Sequence, residues 1–193
     1  ELSETNKMIV MGSRGLGGLS GMVMGSVSAA VVSHAHCPVV VVREDNHLTE
    51  ENKYGPVVVG VDGSDVSQQA TEFAFAEADA RGAKIEAIHT WIDMQVQASL
   101  AGLAAAQQEW KVVEEEQTQL LQERLAPLLE QYPNVDVDMV ITRDRPIRAL
   151  VDAAKHAQLL VVGSHGRGGF RGMLLGSTSR ALLQQAPCPM VVV

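Results

Sequence analysis

The chain has 193 residues, of which 46% are hydrophobic and 20% charged, a composition typical of a globular protein with a substantial core. With 15 Lys and Arg against 23 Asp and Glu its formal net charge is −8, which argues against nucleic acid as a partner. The two cysteines are too few for a disulfide framework and predict a reducing, cytoplasmic location, and no apolar run reaches the roughly 20 residues of a membrane span.

The beginning of the chain repeats its end. Residues 11–42 align without a gap with residues 162–193, and 17 of the 32 aligned pairs are identical. The offset of 151 residues is far longer than the roughly 20–50 residues of a solenoid repeat and indicates duplication of a whole domain. The sequence therefore predicts the C-terminal fragment of a truncated first domain at 1–42, a polar linker at 43–56 and a complete domain at 57–193.

Strands and helices alternate through the predicted complete domain. Short apolar, β-branched runs predict five strands, at 57–61, 85–89, 135–141, 159–162 and 190–193. Apolar residues at helical spacing predict helices at 65–81, 109–132, 146–156 and 173–185. Ser64 or Asp65 is the expected cap of the first of these helices, and Arg81-Gly82 its end. Pro127 is expected to kink the second or to mark its last turns.

This alternation predicts the fold class. Successive β-α-β units cross over right-handedly and give parallel strands, and strands that are apolar throughout, such as VVVGV, belong to a sheet covered on both faces. We therefore expect an α/β fold, a doubly wound five-stranded parallel sheet with helices on both faces. Residues 91–106 lack a regular pattern, so we expect them to form an irregular, mobile connection. In such folds ligands bind beyond the carboxyl ends of the strands.

A glycine-rich segment follows the fourth predicted strand of the domain. The frame G-x2-G-x9-G-S occurs in both copies of the repeat, at Gly12, Gly15, Gly25 and Ser26 and again at Gly163, Gly166, Gly176 and Ser177. Glycine allows close approach of an anion to backbone N–H groups, and a helix start favours negative charge. The frame is neither a Walker loop nor the dinucleotide fingerprint. A purely structural surface loop is the alternative, but the same spacing in two copies favours phosphate binding.

These residues resemble the universal stress protein family. The resemblance runs from the opening VVVGVDGS through the glycine frame to the closing CPMVVV, and residues 1–42 resemble the end of a further domain of the same kind. It implies a tandem-domain member with the family's adenine nucleotide α-hydrolase-like fold. Because the glycine frame marks the ATP-binding branch of the family, the resemblance also implies ATP, with Mg²⁺, at the carboxyl edge of the sheet.

The resemblance implies a role for individual residues. Asp62, with Gly60 and Val61 beside it, corresponds to the aspartate that faces the ribose or a phosphate-bound Mg²⁺, and Ala87 and His89 correspond to the wall around the adenine. The implied phosphate-binding residues are Val162, Gly163, Gly166, Gly176, Ser177 and Thr178, matched in the first copy by Gly12, Gly15, Gly25 and Ser26. A complete second site is not expected, because the first copy lacks the strand that carries the aspartate.

No catalytic residues are predicted. No nucleophile stands beside a base and an orienting partner in the pattern that covalent catalysis requires. His165 and Arg167 are replaced by Arg14 and Leu16 in the first copy, which favours solvated loop side chains over a catalytic base or a phosphate ligand. Enzymatic activity stays open, since the resemblance allows slow ATP hydrolysis.

Three functions compete at this stage. The first is a nucleotide-dependent regulator in the stress response, the second a slow ATPase of the same fold, and the third an interaction module that binds no nucleotide. Residues 39–42 and 190–193 are predicted edge strands, which invite pairing. The resemblance implies association through this last strand, either in a homo-oligomer or between the two copies.

Overall fold

The computed structural model describes residues 1–14, 24–44, 46, 49–50, 52–91, 103–167 and 174–193, with the side chains of 103–110 outside the description. In chain order the elements are α1 (Leu2–Thr5), β1 (Ile9–Gly12), α2 (Ser26–His34), β2 (Val39–Val42), a 3-10 turn (Asn52–Tyr54), β3 (Val57–Gly60), α3 (Asp65–Arg81), β4 (Ile85–Thr90), α4 (Leu103–Gln131), β5 (Val137–Thr142), α5 (Pro146–Ala154), β6 (Leu159–Val162), α6 (Ser177–Gln185) and β7 (Met190–Val192).

The described strands form one seven-stranded sheet in the order β1-β2-β7-β6-β3-β4-β5. The five strands of residues 57–193 are parallel, as the sequence predicts. The predicted total of five strands is wrong, because β1 and β2 continue the same sheet. β2 pairs antiparallel with β7, so the edge that the last strand would otherwise expose is covered from within the chain.

The antiparallel pair is centred on equivalent positions of the repeat. Val40 lies opposite Val191, which is its own counterpart at the offset of 151 residues. Beyond the pair, Ser28 Oγ donates to Gly12 O at 3.0 Å in the first copy, and Ser179 Oγ donates to Gly163 O at 2.7 Å in the second. The repeated sequence therefore folds into the same strand-loop-helix-strand unit twice, on either side of an approximate two-fold axis.

Two apolar layers enclose the sheet, as expected for a doubly wound fold. On one face α2, α5 and α6 pack against the sheet around Leu160 and Leu182, both fully buried. On the other face α3 and α4 pack around Phe75 and Leu125, also fully buried. Within the described part of the chain, no helix has the length and apolarity needed to cross a membrane.

Local signals in the sequence locate several helix ends. Ser64 caps α3 by accepting from the Ser67 N–H at 3.2 Å, and Gly82 ends it in the left-handed conformation with φ of 61°. Helix α4 begins at Leu103, six residues before the predicted start, and continues through Pro127. The predicted irregular connection falls largely on residues 92–102, which lie outside the described residues.

Helix α6 begins at Ser177 rather than at the predicted position 173. Gly176 is extended, with φ of −68° and ψ of 159°, and forms the N-cap. This difference sets the geometry of the loop before α6, because the helix start now coincides with the G-S pair that ends the glycine frame.

Side chains fasten the segment between β2 and β3 to the ends of two helices. Asn46 Nδ2 donates to the Ala186 carbonyl at 3.0 Å, just beyond α6, and Asn52 Nδ2 donates to the Lys155 carbonyl at 2.9 Å, just beyond α5. Carbonyls at helix C-termini have no partner within the helix, so these contacts satisfy them.

Candidate functional site

A cavity of about 780 Å³ opens at the carboxyl ends of β3, β4 and β6, between the starts of α5 and α6. This position is where doubly wound sheets bind ligands, and the volume lies in the range of roughly 300–1,000 Å³ found for small-molecule sites. Nine of the predicted site residues line it, namely Gly60, Val61, Asp62, Val162, Gly163, Gly166, Gly176, Ser177 and Thr178.

The two ends of the cavity differ in chemistry. Ile88, Pro146 and Leu150 give it an apolar wall on the side of β4 and α5. The rest of the wall includes the described residues of the glycine segment after β6, as far as Arg167, and the first residues of α6. An occupant that matches both ends has a flat or apolar group at one end and hydrogen-bond acceptors at the other.

The start of α6 supplies unpaired donors. The first N–H groups of a helix have no acceptor within it, and Gly176 provides no side chain to cap them. The hydroxyls of Ser177 and Thr178 lie on the cavity wall beside these N–H groups. Ser179 is buried and its hydroxyl donates to Gly163 O at 2.7 Å, which ties the helix start to the end of β6. The result is a fixed cluster of donors suited to an anion.

Asp62 links the β3 turn to the glycine segment. Its Oδ1 accepts from the Ser64 N–H at 2.9 Å and from the Ser64 hydroxyl at 2.7 Å, and its Oδ2 accepts from the Arg167 N–H at 3.0 Å. Gly166 is required by this contact, because a Cβ there would stand 2.3 Å from Asp62 Oδ2. The carboxylate therefore holds the loop in place across the mouth of the cavity.

Burial acts to raise the pKa of Asp62, but the hydrogen bonds from Ser64 and Arg167, together with the Arg167 charge, outweigh it and hold the pKa below its usual value. Asp62 is the one carboxylate on the described cavity wall. From the described residues its Oδ2 accepts one hydrogen bond, which leaves a lone pair for a cation. Mg²⁺ typically takes one or two carboxylates together with phosphate oxygens and water, so the residues fit a Mg²⁺ held jointly with a phosphate.

Among the described residues, no group of three or more His, Cys, Asp or Glu side chains could hold a metal ion. Asp62 could therefore contribute one ligand to a cation, with the remaining ligands coming from a bound phosphate and water. This arrangement differs from a protein-only metal centre.

The structure does not bring Ala87 and His89 into the cavity. Successive residues of a strand point to opposite faces, and Ile88 and Thr90 are the β4 residues that line the cavity wall. Ala87 and His89 are buried on the other face, beneath α3 and α4. Ala87 and His89 therefore do not share the cavity with the other predicted residues, and a role for them beside an adenine stays a prediction.

Two side chains that the sequence comparison set aside do line the cavity. His165 and Arg167 both belong to its described wall, although Arg167 stays exposed at the mouth. Comparison of the two copies missed them because the first copy carries Arg14 and Leu16 at the corresponding positions. Ile88, Thr90 and the α5 wall carried no motif that could have marked them.

The first-copy residues lie elsewhere. Gly12, Gly25 and Ser26 stand at the carboxyl end of β1 and the start of α2, away from the cavity, and Gly15 lies outside the described residues. Gly25 N–H donates to Ser13 O at 2.8 Å, just as its counterpart Gly176 N–H donates to Ser164 O at 2.7 Å in the second copy. No aspartate-bearing turn adjoins it in the described sheet, where β1 is an edge strand.

Comparison with known proteins identifies relatives along the chain. The sequence model of the universal stress protein family matches residues 3–43 and 53–193. Universal stress protein Rv2005c of Mycobacterium tuberculosis is 46% identical over 192 residues, which cover 100% of this chain and 63% of the relative. Rv2623 of the same organism is 41% identical with the same coverage. The chain thus spans just under two thirds of the length of these curated relatives.

Solved structures with the same fold include three universal stress proteins. One from Archaeoglobus fulgidus is 26% identical with a TM-score of 0.66, over 99% of this chain and 63% of that chain. One from Lactobacillus plantarum is 21% identical with a TM-score of 0.60, over 73% and 98%, and shows the fold alone. One solved in complex with cAMP is 26% identical with a TM-score of 0.54, over 73% and 97%.

Proposed function

Because the chain belongs to the universal stress protein family, we propose that its cavity binds ATP together with Mg²⁺ and that occupancy by the nucleotide regulates the protein's interactions in the stress response. The observation that carries this proposal is the pairing of an apolar wall with an uncapped helix start in one cavity of about 780 Å³. An adenine nucleotide has the matching polarity, with an aromatic base at one end and phosphates at the other.

Different residues of the cavity would bind different parts of the nucleotide. The base would lie against Ile88, Leu150 and the neighbouring wall, and the phosphates would accept from the start of α6 and from Ser177. Mg²⁺ would neutralise phosphate charge beside Asp62. The relative solved with cAMP supports an adenine-containing ligand for this fold, because the two chains share 26% identity over 73% of this chain.

A regulator is favoured over an ATPase by the state of Asp62. Hydrogen bonds fix this carboxylate and lower its pKa, which makes it a weak acceptor for a proton from an attacking water. His165 lies on the wall, but its described hydrogen bond is to its neighbour Ser164 at 3.1 Å, without an orienting carboxylate. We therefore propose binding without dedicated catalysis, so that the bound nucleotide acts as an occupancy signal.

The test uses the internal repeat as a control. Protein purified without added nucleotide is denatured and its released small molecules are identified by mass spectrometry, and Mg-ATP is titrated calorimetrically. Ser177→Ala removes a donor from the cavity, whereas Ser26→Ala makes the same change at the equivalent helix start outside it. We expect about a tenfold loss of affinity for the first variant and none for the second.

Three outcomes separate the competing functions. Nucleotide binding that responds to Ser177→Ala, without phosphate release, supports the regulator. Phosphate release that Asp62→Ala abolishes while binding persists supports the slow ATPase. No released nucleotide and no heat on titration would reject the proposal in favour of an interaction module.

We also propose that residues 1–42 are the end of a further domain of the same family, in a tandem arrangement. Val10 of β1 is 64% exposed, whereas its counterpart Val161 of β6 is fully buried beneath β3 and α3. The free side of β1 therefore offers a surface that, in the second copy, is covered by a strand and a helix. In a longer polypeptide that contains an upstream strand and helix, Val10 should be buried. Protection of its amide and its side chain from solvent would show this burial.

A further inference from the structure

The turn that carries Asp62 is held from behind by helix α4. His89, only 2% exposed, lies on the face of β4 opposite the cavity. Its Nδ1 is 2.6 Å from the Val61 carbonyl oxygen, and its Nε2 is 2.9 Å from Gln117 Oε1 on α4. A carbonyl oxygen only accepts hydrogen bonds, so Nδ1 carries a proton and donates to Val61, while Nε2 pairs with the Gln117 side-chain amide, either donating to its oxygen or accepting from its nitrogen. The imidazole thereby connects α4 to the residue immediately before Asp62.

A second contact from the same helix lies on the other side of Asp62. The Arg124 guanidinium lies against the backbone of Gly63, where a Cβ would stand 2.3 Å from its Cζ. Gly63 has φ of 83°, a left-handed conformation that favours glycine independently of this contact. Gln117 and Arg124 are seven residues apart, two helical turns, and so share one side of α4.

Helix α4 thus acts on both neighbours of Asp62, on Val61 through His89 and on Gly63 directly, and none of its described side chains lines the cavity. Val61 is held through His89 and Gly63 is covered by Arg124, while neither His89 nor Arg124 lines the cavity. A displacement of α4 would move the Asp62 carboxylate, and with it the hydrogen bond that holds the loop at Arg167.

We propose that His89 and Arg124 are positioning residues, through which α4 sets the place of Asp62 and responds in turn to occupancy of the cavity. The effect on nucleotide binding rests on the proposed function, whereas the effect on the empty site does not. Coupling of this kind is reciprocal, so a change in α4 that alters binding implies that binding alters α4.

Three substitutions at His89 and α4 distinguish positioning from simple filling of the core. In His89→Asn the side-chain amide stands where the imidazole Nδ1 stood and can still donate to Val61. His89→Leu fills space and removes the donor, leaving the Val61 carbonyl without it. Arg124→Met keeps the aliphatic stem of a half-buried helix residue and removes the guanidinium from Gly63.

The first readout is amide hydrogen exchange at Arg167 in the nucleotide-free protein, followed residue by residue by NMR. This N–H donates to Asp62 Oδ2, and no described hydrogen bond joins its segment to His89 or Arg124. We expect about tenfold faster exchange in His89→Leu and only partial recovery in His89→Asn, which keeps the donor to Val61 but cannot reach Gln117 on α4; full recovery would show that α4 does not act through His89. The second readout is the Mg-ATP affinity, which should fall about tenfold in His89→Leu and recover only in part in His89→Asn.

The outcomes are decisive even if one variant does not fold. Should His89→Leu fail to fold, Arg124→Met must accelerate exchange at Arg167, and an unchanged rate there overturns the proposal. If His89→Leu folds and leaves both readouts unchanged, the proposal is likewise overturned. If the wild-type protein does not bind Mg-ATP, the proposed function fails, and exchange at Arg167 in the empty site still decides whether α4 positions Asp62.

Discussion

The backbone of Gly166 lies so close to the Asp62 carboxylate that no methyl group fits between them. A Cβ on Gly166 would lie 2.3 Å from Asp62 Oδ2, well inside contact distance, while the next residue donates its N–H to that same oxygen at 3.0 Å. The glycine thus serves the approach of a carboxylate from within the protein, in addition to any approach of a phosphate. The conformation of the loop and the position of the aspartate are determined together.

Gly166→Ala should therefore affect nucleotide affinity more than it affects the free energy of unfolding. The added methyl group forces Asp62 or the loop aside, and we expect at least a tenfold loss of Mg-ATP affinity in calorimetric titration. Gly82→Ala serves as the control, because Gly82 has φ of 61° and no atom near its missing Cβ. That change should cost about 1 kcal/mol of unfolding free energy and leave nucleotide affinity as it is. The reverse pattern would contradict this account of Gly166.

The depressed pKa of Asp62 predicts a pH dependence with a definite sign. A carboxyl group whose folded pKa is below its ordinary value of 3.8 contributes stability that is full above that value and is lost as pH falls through the folded pKa. Wild type should thus be more stable than Asp62→Asn at pH 7, and the difference should shrink as the pH falls below about 4 in denaturant titrations. A difference that is constant with pH would show that the charge of Asp62 is not what stabilises the turn.

Ser179 and Ser28 offer a matched pair of substitutions. Each is 4% exposed and donates to a glycine carbonyl at the end of a strand, at 2.7 and 3.0 Å. We expect Ser179→Ala and Ser28→Ala each to lower the unfolding free energy by about 1 kcal/mol, because each leaves a carbonyl without its donor. Only Ser179→Ala should weaken nucleotide binding, since only that helix start faces the cavity. Equal effects on affinity would place the ligand elsewhere.

The contrast between Val10 and Val161 predicts unequal tolerance to a polar group. Val10→Thr, at a position 64% exposed, should change the unfolding free energy by less than about 0.5 kcal/mol. Val161→Thr, at a fully buried position, should lower it by about 1–3 kcal/mol because the hydroxyl loses its hydration. Urea denaturation of both variants checks this. A large loss at Val10 would mean that this side of β1 is already covered in solution.

Removal of residues 1–46 should expose the outer edge of β7, which β2 occupies in the structure. An uncovered apolar edge strand pairs readily with another, so the shortened chain should self-associate more strongly than the full chain. Sedimentation at a series of concentrations measures the difference. Equal association of the two chains would indicate that β2 does not protect this edge.

The sequence predicted most of what depends on local signals. Ser64 and Gly82 give the bounds of α3 because a cap and a left-handed glycine act within one turn. Pairing of the last strand between the two copies was one of two expected alternatives, and the total of five strands was wrong because apolar periodicity does not decide between them. Ala87 and His89 do not share the cavity with the other predicted residues because successive residues of a strand point to opposite faces, and the resemblance indicated only the strand.

Because β2 runs antiparallel to β7, the carboxyl ends of β1 and β2 point away from the rim of the sheet that carries the cavity. Ser28 and Ser179 therefore lie at opposite rims of one continuous sheet, in two units that share 17 of 32 aligned residues. Within the described chain, only the rim at Ser179 carries an aspartate turn supported by α4. A change of conformation at that rim would reach the other through the pairing of β2 with β7, where Val40 lies opposite Val191.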